Sequence, residues 1–194
     1  MARPKEFDVD AALQQALQVF WQKGYEATSM QDLVDAMGIQ KASLYATYGD
    51  KHSLYMQALR NYQRDALVEM ETTLTRPGSP KAALRALLQG VVEQAAGKRG
   101  RRGCFCVNAN IELAPSDPVV GEQLRDHTGR VEAMLQRTLA AARAAGEIPR
   151  SADTAQLASF LYGLLLAINV LARQRAPKPR LQAIADQGLA ALGA

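Results

Sequence analysis

A chain of 194 residues has room for one large domain or two small ones. Its hydrophobic content of 48%, with only 22% charged residues, is typical of a packed globular protein and excludes a disordered chain. The net charge of +4 does not by itself indicate a nucleic-acid partner, because residues 1–60 hold six Lys/Arg against seven Asp/Glu. Only the placement of individual cations can therefore argue for contact with DNA.

The beginning of the chain predicts a short arm followed by a first helix. The eight prolines lie almost entirely at apparent helix boundaries and no alternating strand pattern persists, so the chain is predicted to be all-α. Asp8 or Asp10 can cap a helix that runs to about Lys23, and Gly24 ends it. Residues 1–7 are predicted to form an arm whose cations lie close to DNA phosphates, namely Arg3 and Lys5.

Residues 28–51 predict two short helices joined by a tight turn. Four apolar residues of the first helix recur at helical spacing: Met30, Leu33, Val34 and Met37. Thr28 or Ser29 can cap its start, and Gly38 follows its end, where a left-handed residue commonly stops a helix. A second helix then starts near Gln40. This arrangement is typical of a helix-turn-helix motif, in which the second helix enters the DNA major groove.

The second short helix is predicted to have two different faces. Leu44 and Tyr48 are four residues apart and can pack inward on the first helix. The polar residues on and around the other face are predicted to contact phosphates and base edges. These candidates are Thr28, Ser29, Gln40, Lys41, Ser43, Tyr45, Thr47 and Lys51. The alternative is an ordinary solvated face on a helical hairpin that binds no DNA.

Residues 3–51 resemble the N-terminal domain of the TetR family of bacterial transcriptional regulators. The resemblance is carried by four segments: 16–20, 23–29, 32–39 and 43–51. It implies a DNA-binding regulator that acts as a homodimer on palindromic double-stranded operator DNA and responds to a small-molecule effector. One position departs from the family pattern, because Thr47 stands where many members carry His or Tyr and reaches less far than a ring.

The rest of the chain predicts a long connecting helix and a helical body. Asp50 can cap a linker helix over residues 51–75, and the breaker cluster at 76–80 follows it. The expected domains are a helix-turn-helix DNA-binding domain at 1–50 and an effector-binding and dimerisation domain at 76–194. Further helices are expected at about 81–96, 103–114, 118–145, 151–173 and 180–192, which makes about nine in all.

Two cysteines lie where a sensor would be expected. Cys104 and Cys106 follow four cations at the predicted start of the sixth helix, a setting that favours thiolate over thiol. Helical residues two apart point about 200° away from each other, so the pair is not expected to bridge locally. No CxxC motif or four-ligand set occurs, so no metal or cofactor is predicted. One interpretation is a cysteine that reacts with oxidants or electrophiles and releases DNA; the other is two buried small hydrophobic residues.

The residues after the cysteines are candidates for effector contacts. The stretch 103–113 resembles the corresponding helix of TetR-like repressors that sense reactive electrophiles. Asn108, Asn110 and Glu112 are polar residues on a helix predicted to be buried, so they need either a non-covalent ligand or neighbouring helices as partners. The effector candidates are Cys104, Cys106, Asn108 and Asn110, whereas His127 is given no role.

The last two helices are predicted to form a two-fold, four-helix dimer interface. The eighth helix is apolar nearly all round and must be covered on more than one side. The interface candidates combine small and large apolar residues: Phe160, Gly163, Leu164, Ala167, Ile184, Gly188 and Leu189. The alternative is that these helices are simply buried against the body.

The sequence predicts a cytoplasmic protein without membrane contact. The start of the chain has no apolar h-region, and the longest apolar run, 157–172, is shorter than the ~20 residues that span a bilayer. The leading interpretation is a sequence-specific transcriptional regulator, a repressor released by a small molecule or a reactive electrophile or oxidant, and not an enzyme. The alternatives are a thiol-dependent enzyme and a helical adaptor without DNA affinity.

Overall fold

The chain folds into helices joined by short turns. The computed structural model describes residues 7–193, apart from the side chains of Lys98 and Arg99, and within that part only helices and turns occur. The helices are α1 (Val9–Lys23), α2 (Met30–Met37), α3 (Lys41–Tyr48), α4 (Lys51–Leu74), α5 (Pro80–Ala96), α6 (Phe105–Glu112), α7 (Pro118–Ala144), α8 (Thr154–Arg173) and α9 (Lys178–Ala190). The all-α prediction is confirmed, and the predicted cations Arg3 and Lys5 lie outside the described residues.

Local capping signals fix the helix ends of the head (α1–α3), which α4 joins to the body (α5–α9). Asp8 rather than Asp10 caps α1, because its carboxylate accepts N–H bonds from residues 10 and 11 at 3.0 Å. Ser29 caps α2 in a reciprocal capping box with Asp32. Gly38 follows α2 in the left-handed conformation, with φ of +64°, and turns the chain into α3.

Two hydrophobic clusters hold the helices together, and the first spans head and body. It joins α1–α4 to α6 and the start of α7. Aromatic rings lie at its centre: Tyr55 meets Phe20 edge to face at 5.0 Å between ring centroids and Phe105 of α6 at 5.4 Å. The second cluster joins the end of α4 to α5, α7, α8 and α9. Helix α6 therefore packs directly on α1 and α4, through Phe105 against Trp21 and Tyr55.

The basic segment between α5 and α6 packs closely on its neighbours. Residues Lys98–Arg102 form a 3₁₀ turn. A side chain at Gly100 would place its Cβ 1.6 Å from the Ala95 carbonyl oxygen, so only glycine fits there. The Arg102 guanidinium lies 4.9 Å from the Trp21 ring centroid and donates to Gln18. This end of the basic segment is therefore packed on α1 and is not a free surface loop.

Helix α8 spans 20 residues, close to the predicted range of 151–173, and Asp153 caps its start as predicted. Although the apolar run 157–172 alone is shorter than a bilayer span, the whole helix is long and apolar enough to cross a bilayer by length and composition. In this fold α8 packs against α7 and α9, yet only 28% of its most apolar window is buried. Much of its apolar surface is therefore left uncovered by the single chain.

Candidate nucleic-acid interface and effector cavity

Helix α3 has one buried face that fixes it to the head. Leu44 is 0% and Tyr48 2% exposed, which confirms the predicted inward packing. The Tyr48 hydroxyl donates to the Val9 carbonyl oxygen at 2.7 Å and ties α3 to the start of α1. Leu33 of α2 is also fully buried in this cluster. The helix is therefore held at a fixed angle, with its opposite face turned outward.

The outward face of α3 carries polar side chains of several kinds. Gln40 and Lys41 are exposed at its start, and the Tyr45 side chain is 45% exposed one turn later. Ser43 and Thr47 are half-buried at the edges of this face. The face combines one cation, one amide, one phenol and two hydroxyls, which are groups that bind phosphate oxygens and base edges.

Three other residues that were predicted to contact DNA lie outside the outward face of α3. Thr28 is 1% exposed and its hydroxyl donates to the Gly24 carbonyl, so the predicted DNA contact of this side chain is wrong. Ser29 is exposed but its hydroxyl already accepts the Asp32 N–H at 3.0 Å. The Lys51 ammonium lies 4.4 Å from the Tyr25 ring centroid, so this half-buried cation is held against the head.

A cavity of about 340 Å³ lies between the head and the body. Helices α1, α4, α5, α6, α7 and α8 all contribute to its wall. The lining combines apolar residues with a small set of aromatic, sulfur-containing and titratable side chains, including Trp21, Tyr62, Cys104, Cys106, His127 and Tyr162. Its size and mixed lining are typical of a small-molecule site.

The two cysteines are neighbours within this cavity. Cys104 is the N-cap of α6 with an extended backbone, φ −89° and ψ 133°, so the 200° separation of helical residues does not apply. The helical geometry behind the expectation that the two side chains point apart is therefore not present at Cys104. The Cys104 sulfur accepts a hydrogen bond from the Tyr62 hydroxyl at 3.5 Å. Interaction with the Cys106 thiol and the bond from Tyr62 lower the pKa of Cys104, whereas interaction with Cys104 and burial raise the pKa of Cys106.

Two buried polar groups close to the cysteines lack a protein partner. Within the described residues, His127 Nδ1 and Gln63 Nε2 are buried and make no hydrogen bond. Gln63 Oε1 accepts from Gln123 at 2.6 Å. Burial, followed by the nearby Arg130 charge, lowers the pKa of His127, which keeps the ring neutral near pH 7. No role was predicted for His127 from the sequence. Its spacing from Leu124 and Val131 nevertheless places it on the inner face of α7.

The polar residues of α6 serve contacts other than the cavity. The Asn108 amide donates to the Arg102 carbonyl at 2.9 Å and accepts from Arg173 at 2.6 Å, so it joins the 3₁₀ turn to α8. Asn110 is exposed, and the prediction that it is buried is wrong because this side of α6 faces solvent. The Glu112 carboxylate accepts N–H bonds from the turn after α1. Neither asparagine lines the cavity.

The predicted dimer residues fall into two groups. Phe160 is 46% exposed, and Gly163 and Ala167 are exposed on the same side of α8. Leu164 and Ile184 are half-buried, whereas Gly188 and Leu189 are buried inside the chain. A Cβ at Gly188 would lie 2.3 Å from Leu164 Cδ2. The close approach at Gly188 is therefore between α8 and α9 of one chain, and its predicted place between two chains is wrong.

The helix-turn-helix head and the all-helical body define a DNA-binding transcriptional regulator. The family described as "Bacterial regulatory proteins, tetR family" matches residues 12–58. The family described as "Tetracyclin repressor-like, C-terminal domain" matches residues 80–188, which is more than half of the chain. The chain belongs to the TetR family.

Full-length relatives agree with this assignment. The chain is 35% identical to the HTH-type transcriptional repressor ComR of Escherichia coli (strain K12), over 96% of this chain and 90% of that protein. It is 33% identical to the uncharacterized HTH-type transcriptional regulator YezE of Bacillus subtilis (strain 168), over 99% of this chain and 100% of that protein.

Solved structures show the same fold. A cysteine-substituted form of the TetR family transcriptional regulator CifR, complexed with 26-bp double-strand operator DNA, superposes with a TM-score of 0.87. It is 32% identical to this chain, over 97% of this chain and 99% of that one. Reduced NemR of E. coli has a TM-score of 0.84 at 19% identity, covering 92% of this chain and 93% of that one, and shares the fold.

Proposed function

We propose that this regulator is a homodimeric repressor that binds a palindromic operator and releases it when an effector occupies the cavity at Cys104. The observation that carries the proposal is the geometry of α3, whose Leu44 and Tyr48 face is buried while its polar face points outward. In helix-turn-helix proteins this second helix lies in the major groove. The structurally similar CifR is complexed with operator DNA.

Residues on α3 have different proposed roles. Lys41 and the hydroxyls of Ser43 and Thr47 contact phosphate oxygens and fix the register of the helix. Gln40 and Tyr45 are the larger groups at its exposed start and middle, and they approach base edges. Residues 1–50 form the DNA-binding domain, 51–75 the linker helix and 76–194 the effector-binding and dimerisation domain. This role places the protein in the cytoplasm as a regulator without catalytic activity.

The outer side of α8 supports dimerisation. Phe160, Gly163, Ala167 and Val170 are exposed at helical spacing and form an apolar stripe that the single chain leaves open. In a dimer with a two-fold axis, the apolar stripe of one copy packs against the same stripe of the second copy. The small residues of the stripe allow the two α8 helices to approach closely. Such a dimer presents two α3 helices to major-groove faces about 34 Å apart.

The cavity supports an electrophilic effector. Cys104 is the more reactive of the two cysteines near neutral pH, because its lowered pKa leaves a larger fraction of it as the nucleophilic thiolate. Addition of this thiolate to the β-carbon of an α,β-unsaturated carbonyl compound forms a C–S bond as the C=C π bond breaks, the resulting enolate takes a proton from water, and the adduct occupies the cavity. A non-covalent ligand is the second candidate, since His127 lines the cavity and its buried Nδ1 offers an unused hydrogen-bonding group. Cys104→Ser abolishes effector-induced release of the operator only if the effector is an electrophile that reacts with Cys104.

Binding to the region upstream of its own gene tests the repressor proposal. The full chain is titrated by fluorescence anisotropy onto that duplex and onto a shuffled duplex of equal length. We expect two chains per duplex, preference for the native sequence and weaker binding as salt rises. Equal affinity for both duplexes would refute the proposed operator recognition.

A further inference from the structure

The last residue of α6 is bonded to the DNA-binding head. One carboxylate oxygen of Glu112 accepts the N–H of Tyr25 at 3.1 Å, and the other accepts the N–H of Glu26 at 3.0 Å. These partners are 87 and 86 residues away in sequence. Bonds from backbone N–H groups to an ionised carboxylate are stronger than those between neutral groups. Glu112 thus holds the turn between α1 and α2 with both of its oxygens.

That turn sets the start of the helix-turn-helix. Thr28 closes it, since its N–H donates to the Tyr25 carbonyl at 3.2 Å and its hydroxyl donates to the Gly24 carbonyl. Ser29, the next residue, is the N-cap of α2. Gly24 allows the close approach of Glu112, because a Cβ there would lie 2.9 Å from both carboxylate oxygens. The position of the Glu112 carboxylate therefore fixes the point from which α2 and α3 start.

The other end of α6 forms part of the cavity wall. Cys104 caps the helix and Cys106 lies in its first turn, and both line the cavity. Phe105 between them packs on Tyr62 and Tyr55, with ring centroids 5.7 and 5.4 Å apart. A helix of eight residues is about 12 Å long. The cavity and the head turn are thus contacted by opposite ends of one short helix.

We infer that Glu112 is the positioning residue through which the state of the cavity sets the orientation of α2 and α3. The inference rests on the proposed function, in which occupation of the cavity controls operator binding. An adduct at Cys104 displaces α6, and the carboxylate carries the Tyr25 and Glu26 amides with it. The two states of the head then differ in operator affinity, which is the differential interaction that coupling between two sites requires.

A second connection nearby is independent of Glu112. His52 at the start of α4 pairs with Asp117, the cap of α7, at 2.7 Å. The His52 ring also meets the Tyr25 ring edge to face at 6.4 Å. These contacts keep the head attached to the body when the carboxylate is removed, so Glu112 variants are expected to fold.

The test compares Glu112→Ala and Glu112→Gln with a matched control, Glu122→Ala, whose residue is exposed on α7. Operator affinity of each full-length variant is measured before and after alkylation of Cys104 with iodoacetamide, with the single adduct verified by mass spectrometry. We expect Glu112→Ala to bind the operator at least about fivefold more weakly before alkylation and to lose less than about twofold on alkylation, against roughly tenfold for the wild type. Glu112→Gln keeps the side-chain size and one carbonyl acceptor. Its operator affinity and its loss of affinity on alkylation are therefore expected to lie between those of Glu112→Ala and of the wild type.

Each outcome is decisive for Glu112. If folded Glu112→Ala matches Glu122→Ala in operator affinity, or loses as much affinity on alkylation as the wild type, the inference is overturned. If Glu112 only stabilised the fold, Glu112→Ala would lower the unfolding temperature. The ratio of its operator affinities before and after alkylation would then equal that of the wild type. If wild-type affinity is insensitive to alkylation, the electrophile proposal fails, and the comparison of unalkylated variants still decides whether Glu112 positions the head.

Discussion

The acidity of Cys104 depends on donors from two neighbouring side chains. Interaction with the Cys106 thiol and the hydrogen bond from the Tyr62 hydroxyl, at 3.5 Å, both favour the thiolate and lower the pKa of Cys104. Since only the thiolate reacts, the alkylation rate rises with pH through the pKa of Cys104 and is constant above it. We therefore predict a midpoint below the ~8.5 of an ordinary thiol.

The variant Tyr62→Phe tests this cause. It keeps the ring that packs on Phe105 but removes the donor, so the midpoint of the rate profile should move to higher pH. The rate is followed by mass spectrometry between pH 5 and 9.5. Cys106→Ala removes the largest cause of the lowered Cys104 pKa, so it is expected to move the midpoint to still higher pH. An unchanged midpoint in both variants would show that these hydrogen bonds do not set the pKa.

The capping box of α2 predicts a pH-dependent contribution to stability. Hydrogen bonds from Lys23, at 2.6 Å, and from Ser29 lower the pKa of Asp32 to about 2. Because the folded pKa lies below the unfolded value of 3.8, the stabilisation is present above pH 4 and is lost as pH falls through about 2. Asp32→Asn should therefore lower the free energy of unfolding at pH 6 but not at pH 2, as measured by urea titration. A deficit that persists undiminished at pH 2 would contradict this assignment.

Lys41 is predicted to contribute through one phosphate contact. Lys41→Ala should weaken binding to operator and shuffled duplexes by similar factors and reduce the slope of log K against log salt by about 0.9. Lys178→Ala is the control, because that lysine pairs with Glu93 at 2.6 Å in the body. A slope of log K against log salt equal to that of Lys178→Ala would show that Lys41 makes no phosphate contact.

At the scale of single elements, short-range signals were sufficient for the helix-turn-helix. The apolar spacing of α2, the Ser29 cap and Gly38 all act within one or two helical turns, so the sequence alone predicts them. Local signals were not sufficient at Cys104, because the predicted helix starts at residue 103 whereas α6 starts at Phe105 and leaves Cys104 extended. They were not sufficient at Gly188 either, because sequence spacing does not say whether Leu164 of the same chain already fills the space.

The exposed stripe of α8 makes a prediction about assembly. Ala167→Glu places a charge in its centre and should convert the dimer to a monomer at micromolar concentration, as measured by sedimentation. Operator affinity should fall with it, because a single α3 contacts one half-site only. Ala141→Glu, on the exposed side of α7, is the matched control. A dimeric Ala167→Glu variant would exclude this face as the interface.

At the scale of the whole molecule, the contact between head and body could not be predicted. The Trp21 indole donates to the Gly103 carbonyl at 3.0 Å across 82 residues, and Glu112 reaches the turn after α1 over a similar span. Periodicity and capping carry no information about such distant pairs. For the same reason His127 was not recognised as a lining residue of the cavity. These long-range contacts join the head to the body.

In the proposed mechanism, alkylation of Cys104 in the body changes the affinity with which the exposed face of α3 binds operator DNA. The most direct measurement is operator affinity, by fluorescence anisotropy, for the wild type and Cys104→Ser before and after treatment with iodoacetamide. We predict roughly tenfold weaker binding for the treated wild type and less than about twofold change for Cys104→Ser. Equal weakening in both proteins, or none in either, would contradict the account.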